Sequence, residues 1–182
     1  MNDKNLRNSE LFETLPQLRD LESLSLSRSS FADESLCSLP QLRLLRSLSL
    51  LDTNVSDDSL VHIGECRQLE VLSLDGTKVT GYGLRELGAL NRLKCLTLSR
   101  TRVDDSIVSL VAGLPNLKEL DLRGTKVSRN GIDELCEQLP DCHVNFDCPE
   151  KTIRSDRRFQ PSGPKRVANL QGDIMFEANA TL

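Results

Sequence analysis

The sequence predicts an α/β solenoid, right-handed, with short parallel strands on its concave face and helices on its convex face, and three observations predict it. Leu21, Leu45, Leu69, Leu93 and Leu117 fall 24 residues apart without an insertion. Each is followed three and five residues later by a further leucine, from Leu24 and Leu26 in the first unit to Leu120 and Leu122 in the fifth. Within each unit the apolar period then switches from two to about 3.6, as in Leu84, Leu87 and Leu90 or Val108, Val111 and Leu114.

The first 20 residues read as half a repeat. Asn8 stands at a helix-capping position, and Leu11, Phe12, Leu15 and Leu18 follow as one helical face, with no strand before them. Residues 21–148 hold five full repeats. In each, leucines two apart point to one side of an extended chain and the residue between them points to the other, which gives a strand with an apolar inner face. Ala32, Ser56, Thr80, Asp104 and Ser128 precede the helical stretches, and the last four carry oxygens able to accept from a first-turn amide. Asp33, Glu34, Asp57, Asp58 and Asp105 come next, where a helix dipole favours negative charge. Strands pair about 4.8 Å apart and helix axes need about 8–10 Å, so such an array bends with its strands inside. Asp141 takes the place of a sixth leading leucine while Val144 and Phe146 keep the inward positions, which predicts a closing strand. At the amino end the strand edge around Ser23 to Ser27 is expected to be covered by residues 1–7 or by a partner.

The pattern LxxLxLxxTxV, with Ser29, Thr53, Thr77, Thr101 and Thr125 at its ninth position and Phe31, Val55, Val79, Val103 and Val127 at its eleventh, resembles the leucine-rich-repeat family. It is similar to the 24-residue helical repeats of intracellular members and differs from the shorter LxxLxLxxN repeats of extracellular receptors. The family's Asn/Cys ladder is replaced by hydroxyl residues, which are expected to meet backbone groups at the turn. The resemblance implies a protein-binding solenoid.

Composition agrees with this reading. Aromatics are 3% of the chain and there is no Trp, so the core must be aliphatic. No apolar stretch approaches the roughly 20 residues of a membrane span. Residues 1–10 show neither a secretory nor a transit pattern, so an intracellular, cytoplasmic location is expected, with most of the six cysteine thiols free. The net charge is −4, a solubilising balance. Residues 149–182 differ: six Lys/Arg against four Asp/Glu, with Pro149, Pro161 and Pro164, read as an extended basic tail.

The candidate sites are binding surfaces. Ser25, Ser49, Ser73, Thr97, Asp121 and Asn145 form a ladder of polar side chains on the concave face. Cys95, Glu119 and His143 share one row beside it, but thiol and imidazole lie two strand spacings apart, about 10 Å, too far for a catalytic pair or convergent zinc ligands. No phosphate-binding, dinucleotide-binding or metalloprotease motif occurs, and His62 and His143 are poorly placed to activate the serines. No enzyme activity, metal, cofactor, small-molecule substrate or membrane is expected. Arg28, Arg46, Lys78, Arg100, Arg102, Arg123 and Lys126 flank the face and are expected to be solvated or to meet an acidic surface. In the tail, Arg157, Arg158, Phe159, Lys165, Arg166, Ile174, Met175 and Phe176 are the residues expected to dock on a partner. The function expected is that of an adaptor or structural subunit holding protein partners. Attachment to an RNA-containing particle through the tail, and substrate recognition for a ubiquitin ligase, are the alternatives.

Overall fold

A three-residue strand is centred on the first leucine of each LxL segment, one residue earlier than expected, and on Val144 in the last repeat: β1 Ser23–Ser25, β2 Ser47–Ser49, β3 Val71–Ser73, β4 Cys95–Thr97, β5 Glu119–Asp121 and β6 His143–Asn145. The computed structural model describes residues 15–147. The strands make one parallel sheet in chain order, and its register stacks Leu24 on Leu48, Leu48 on Leu72, Leu72 on Leu96, Leu96 on Leu120 and Leu120 on Val144. Main-chain bonds continue the ladder past the strand ends: Arg28 N–H donates to Leu51 O at 2.7 Å, Asp52 N–H to Asp75 O at 2.8 Å and Arg100 N–H to Arg123 O at 2.7 Å. The predicted register therefore holds at every step, and the closing strand is present as β6.

The core follows from the same spacing. Leu45, Leu48, Leu50, Leu69, Leu72, Leu74, Leu93 and Leu98 are wholly buried, and so are Val55, Val79 and Val103 at the turn. Burial of each leucine contributes about 1.5–3 kcal/mol, and the repeat multiplies it along the chain. Of the threonines that follow the strands, Thr53, Thr77 and Thr101 are buried and Thr125 is half-buried, and each hydroxyl is satisfied locally. Thr53 Oγ1 donates to Leu50 O at 2.8 Å, while Thr77, Thr101 and Thr125 donate to Leu74, Leu98 and Leu122 O at 2.6 Å. A buried hydroxyl needs such a partner, and the carbonyl three residues back supplies it.

On the other side the chain is helical but not uniformly so. Asp57–Gly64 (α1), Val108–Ala112 (α2) and Arg129–Gln138 (α3) are α-helices, whereas Asp33–Gln41, Gly83–Ala89 and Asp105–Ile107 wind as the tighter 3-10 form. Pro40 lies inside the first 3-10 segment, where it removes a main-chain donor. Leu15–Gln17 is a single 3-10 turn. Leu18 was expected on the inner face of a helix; the turn ends before it, so the helical period no longer carries it inward and it is 46% exposed. The rest of the expected amino-terminal half-repeat, residues 1–14, lies outside the described residues.

The expected N-caps are present in part. Asp104 accepts from Ser106 N at 3.0 Å and Ser128 from Gly131 N at 3.2 Å, whereas Thr80, which accepts from Tyr82 N at 3.2 Å, lies ahead of its 3-10 segment and does not cap it. Ser56 caps nothing with its side chain. Its hydroxyl is donated instead to Asp33 of the preceding repeat at 2.5 Å, and its amide donates to the same carboxylate at 3.1 Å. Asp33, Asp57 and Asp105 therefore do more than face their own helix dipoles, because each reaches forward into the next repeat. Asp57 accepts from Thr80 N at 2.7 Å and Thr80 Oγ1 at 2.6 Å, and Asp105 accepts from Ser128 N at 2.6 Å and Ser128 Oγ at 2.7 Å. These carboxylates clamp successive repeats together at the start of the helical side.

The clamp leaves its mark on a second position. A Cβ on Gly83 would overlap the Asp57 carboxylate and a Cβ on Gly131 that of Asp105, while Ser59, at the equivalent place, donates its hydroxyl to Asp33. Where the clamp is missing, at Gly81, the equivalent residue is the bulky Ile107, wholly buried.

Candidate functional site

The six-stranded sheet presents the candidate residues in register: Ser25, Ser49, Ser73, Thr97, Asp121 and Asn145 on successive strands. They are less free than their positions suggest. Ser25 Oγ lies 3.1 Å from Ser27 Oγ, which lies 2.9 Å from Ser49 Oγ, so three hydroxyls form a chain across β1 and β2. Ser73 Oγ donates to Asp75 Oδ2 at 3.1 Å, Thr97 Oγ1 to the same oxygen at 2.6 Å, and Ser99 N–H to Asp75 Oδ1 at 2.7 Å. Asp75 is thus the hub of the central strands. Sequence reasoning missed it, because only the register shows that one carboxylate at a strand end reaches hydroxyls on two strands.

Asp121 departs furthest from the expected exposed residue. It is only 6% exposed because the Arg123 side chain folds over it, with Nε 3.0 Å from both carboxylate oxygens and a terminal nitrogen 2.6 Å from Oδ2. Burial works against its charge, but the bonds from the Arg123 guanidinium and amide outweigh it and hold the carboxyl below its usual range. The surface presented here is the Arg123 side chain, not a bare carboxylate.

Cys95, Glu119 and His143 are brought together as neighbours on β4, β5 and β6. Cys95 Sγ donates to Glu119 Oε2 at 3.7 Å. Burial, followed by the nearby carboxylates of Glu119, Asp75 and Asp121, pushes the Cys95 thiol up to about 12, so it stays protonated at neutral pH. His143 is exposed at the end of the row. Cys37, Cys66, Cys95, Cys136 and Cys142 are all free thiols. Among the described residues no cluster of His, Cys, Asp and Glu could hold a metal ion, and no helix is long and apolar enough to cross a membrane.

Charged residues line both margins of this face. At the strand entries Glu22, Arg46, Glu70 and Lys94 alternate in sign, with Arg46 3.9 Å from Glu22 and 3.2 Å from Glu70, and Lys94 2.5 Å from Glu70. The Lys94 bond holds the Glu70 carboxyl below its usual range against slight desolvation, with the Arg46 charge assisting. At the strand exits Asp52 lies 3.9 Å from Arg28 and 3.1 Å from Arg100. Of the flanking cations expected to be solvated, Arg28, Arg46, Arg100 and Arg123 are therefore paired within the chain. Lys78, Arg102 and Lys126 are exposed. The tail candidates Arg157, Arg158, Phe159, Lys165, Arg166, Ile174, Met175 and Phe176 lie outside the described residues.

Comparison with solved structures finds the same fold in known leucine-rich-repeat proteins. Internalin C2 from Listeria monocytogenes superposes with a TM-score of 0.56 at 21% identity, over 73% of this chain and 54% of that one. A leucine-rich-repeat protein from Leptospira interrogans superposes with a TM-score of 0.51 at 21% identity, over 72% of this chain and 38% of that one. The fold is a leucine-rich-repeat solenoid, and the chain spans about half the length of the first of these proteins and less of the second. No protein-family model and no curated protein sequence matches the chain.

Proposed function

We propose that this chain is a non-catalytic interaction module, an adaptor or structural subunit of a larger assembly, which seats a protein partner on the strand face between Ser25 and Asn145. The observation that carries the reading is the pre-organisation of that face. Its side chains are short and tied to one another through Ser27, Asp75 and Arg123, so a partner that docks there finds groups already fixed, and little side-chain freedom is lost on binding. The same bonds argue against catalysis: the Cys95 thiol is protonated, and the hydroxyls of Ser49 and Ser73 are engaged with Ser27 and Asp75.

The test places a photo-crosslinking residue at Ser49, at Ser73 or at Val61, which is 48% exposed on the helical side. The strand-face positions are expected to yield a covalent partner adduct in cells and Val61 none. Ser49→Arg combined with Ser73→Arg should weaken capture at least about tenfold with an unchanged unfolding temperature. Equal adducts from Val61, or capture untouched by the double substitution, sinks the reading.

A further inference from the structure

Three rows of charged side chains run across the repeats, and ion pairs tie together most of two of them: Glu22, Arg46, Glu70 and Lys94 at the strand entries, with Lys118 following unpaired among the described residues, and Arg28, Asp52 and Arg100 at the exits. The third row does not alternate. Lys78, Arg102 and Lys126 occupy one position in three successive repeats, all exposed, and among the described residues none of them makes an ion pair. The main chain holds them in step, because Lys78 N–H donates to Val55 O at 2.8 Å, Arg102 N–H to Val79 O at 3.2 Å and Lys126 N–H to Val103 O at 2.9 Å. Backbone bonded in this way is stacked at about the 4.8 Å ladder spacing, so three like charges are held near one another at some electrostatic cost.

The carboxylates that feel these cations are committed elsewhere. Asp33, which senses Lys78, is bound by Ser56 and Ser59, and Asp104, which senses Lys126, is bound by Ser106. Close by in sequence, Tyr82 is 72% exposed with the Arg85 guanidinium 5.2 Å from its ring centre. Exposed tyrosine and arginine are residue types that interfaces favour.

We infer that the edge formed by Lys78, Arg102 and Lys126 binds an extended acidic segment of a protein partner, laid across the repeats so that successive carboxylates meet successive cations. This rests on the reading of the chain as a protein-binding module. Same-side residues of an extended peptide lie about 6.6–6.8 Å apart, within the reach of flexible Lys and Arg side chains stacked at the ladder spacing. The central Arg102 offers a planar fork that takes a carboxylate bidentately. A nucleic-acid backbone fits poorly. A run of three cations, flanked by Asp104 and Asp105, is short of the broad basic field that phosphates require, whereas a short segment carrying a few carboxylates needs no more than three partners.

The probe is a fluorescent peptide of alternating Glu and Ser, titrated by anisotropy against the full chain, with a Gln–Ser peptide and oligo-uridine alongside. The acidic peptide should bind, and should weaken as salt is raised. Lys78→Glu with Arg102→Glu and Lys126→Glu should lower its affinity at least about tenfold, and the three Gln substitutions should lower it by an intermediate factor. Arg43, Arg67 and Arg92 are exposed cations at the opposite edge whose alignment Asn91 interrupts. Reversing those three to Glu should change the affinity by less than about threefold. No binding of the acidic peptide, equal loss from the two edges, or tighter binding of oligo-uridine that the same three Glu substitutions abolish overturns the inference. Adducts from Ser49 and Ser73 are scored separately, so a chain that keeps them while ignoring the peptide overturns the edge alone, and the strand-face reading stands.

Discussion

Seven residues after each leading leucine the chain turns through the left-handed region, with φ of 58° at Arg28, 53° at Asp52, 67° at Gly76, 57° at Arg100 and 68° at Gly124. Glycine accepts that conformation freely, whereas a residue with a Cβ is disfavoured there by about 1–2 kcal/mol. The three residues that bear this strain are those joined by ion pairs, and Arg100 reaches Asp52 by passing over Gly76, which has no side chain to block it. A Cβ at Gly76 would overlap the Asp52 carboxylate. Exposed ion pairs contribute at most about 1 kcal/mol, so backbone strain is the larger effect at Arg28, whose pair is also the longer. Arg28→Gly is therefore expected to raise the unfolding free energy by about 0.5–1 kcal/mol, and Gly76→Ala to lower it by at least about 1 kcal/mol. Urea midpoints decide between the two effects, since a loss of stability in Arg28→Gly means that the Asp52 pair outweighs the strain.

At the scale of elements, what joins one repeat to the next on the helical side is the aspartate clamp. Burial opposes the charge on Asp33, but the hydroxyls of Ser56 and Ser59 and the Ser56 amide outweigh it and hold the carboxyl below its usual value of 3.8. A carboxyl whose pKa is lower folded than unfolded stabilises the fold above the unfolded value, and that contribution is lost as pH falls through the folded one. Stability should accordingly decline below about pH 4 as Asp33 and Asp121 take up protons. Asp33→Asn should cost about 1–3 kcal/mol at pH 7, and the gap from the wild type should narrow at pH 3 in urea titrations. A gap of constant size shows that the carboxylate charge is not what holds the clamp. The strands were legible because burial recurs with one period, and Leu48, Leu72 and Leu96 each stack on the same residue one repeat earlier. The clamps were not, since Asp33 and Asp57 read equally well as partners of their own helix dipoles. Their signal lies in a pair of positions: Ser59, Gly83 and Gly131 follow an aspartate one repeat earlier, and Ile107 follows Gly81. The candidate face was legible as a row and not as a network, because Asp75 and Arg123 decide which of its groups remain available.

Within the described array, two observations mark the helical side of the junction between the third and fourth repeats as less closely packed than the one before it, although at Gly81 itself a Cβ would overlap the Ser106 side chain. The clamp is absent at Gly81, and a small apolar cleft lined by Leu84, Leu87, Gly88, Leu96, Leu110, Val111 and Leu114 opens beside α2. The junction before it is tight. A Cβ on Gly64 of α1 would overlap the carbonyl oxygen of Glu86, so that helix lies directly on the Gly83–Ala89 segment, while a Cβ on Gly88 would meet nothing within 4 Å. In a stacked array each repeat is held by its own contacts and those of its neighbours, so the loosest junction opens first. Amide exchange should therefore be faster at Val111 and Leu114 than at Ile63 and Cys66. Gly88→Ala adds a methyl where there is room and restricts the unfolded chain, and should raise stability by about 0.4–1 kcal/mol while slowing exchange at Leu114. Gly64→Ala forces a methyl against main chain and should lower stability by about 1–3 kcal/mol. Both substitutions make the same chemical change, so their propensity effects largely cancel and their difference reports the packing at the two junctions. If the two variants shift the urea midpoint in the same direction, or if α1 exchanges as quickly as α2, the looseness assigned to the junction after Gly81 is wrong.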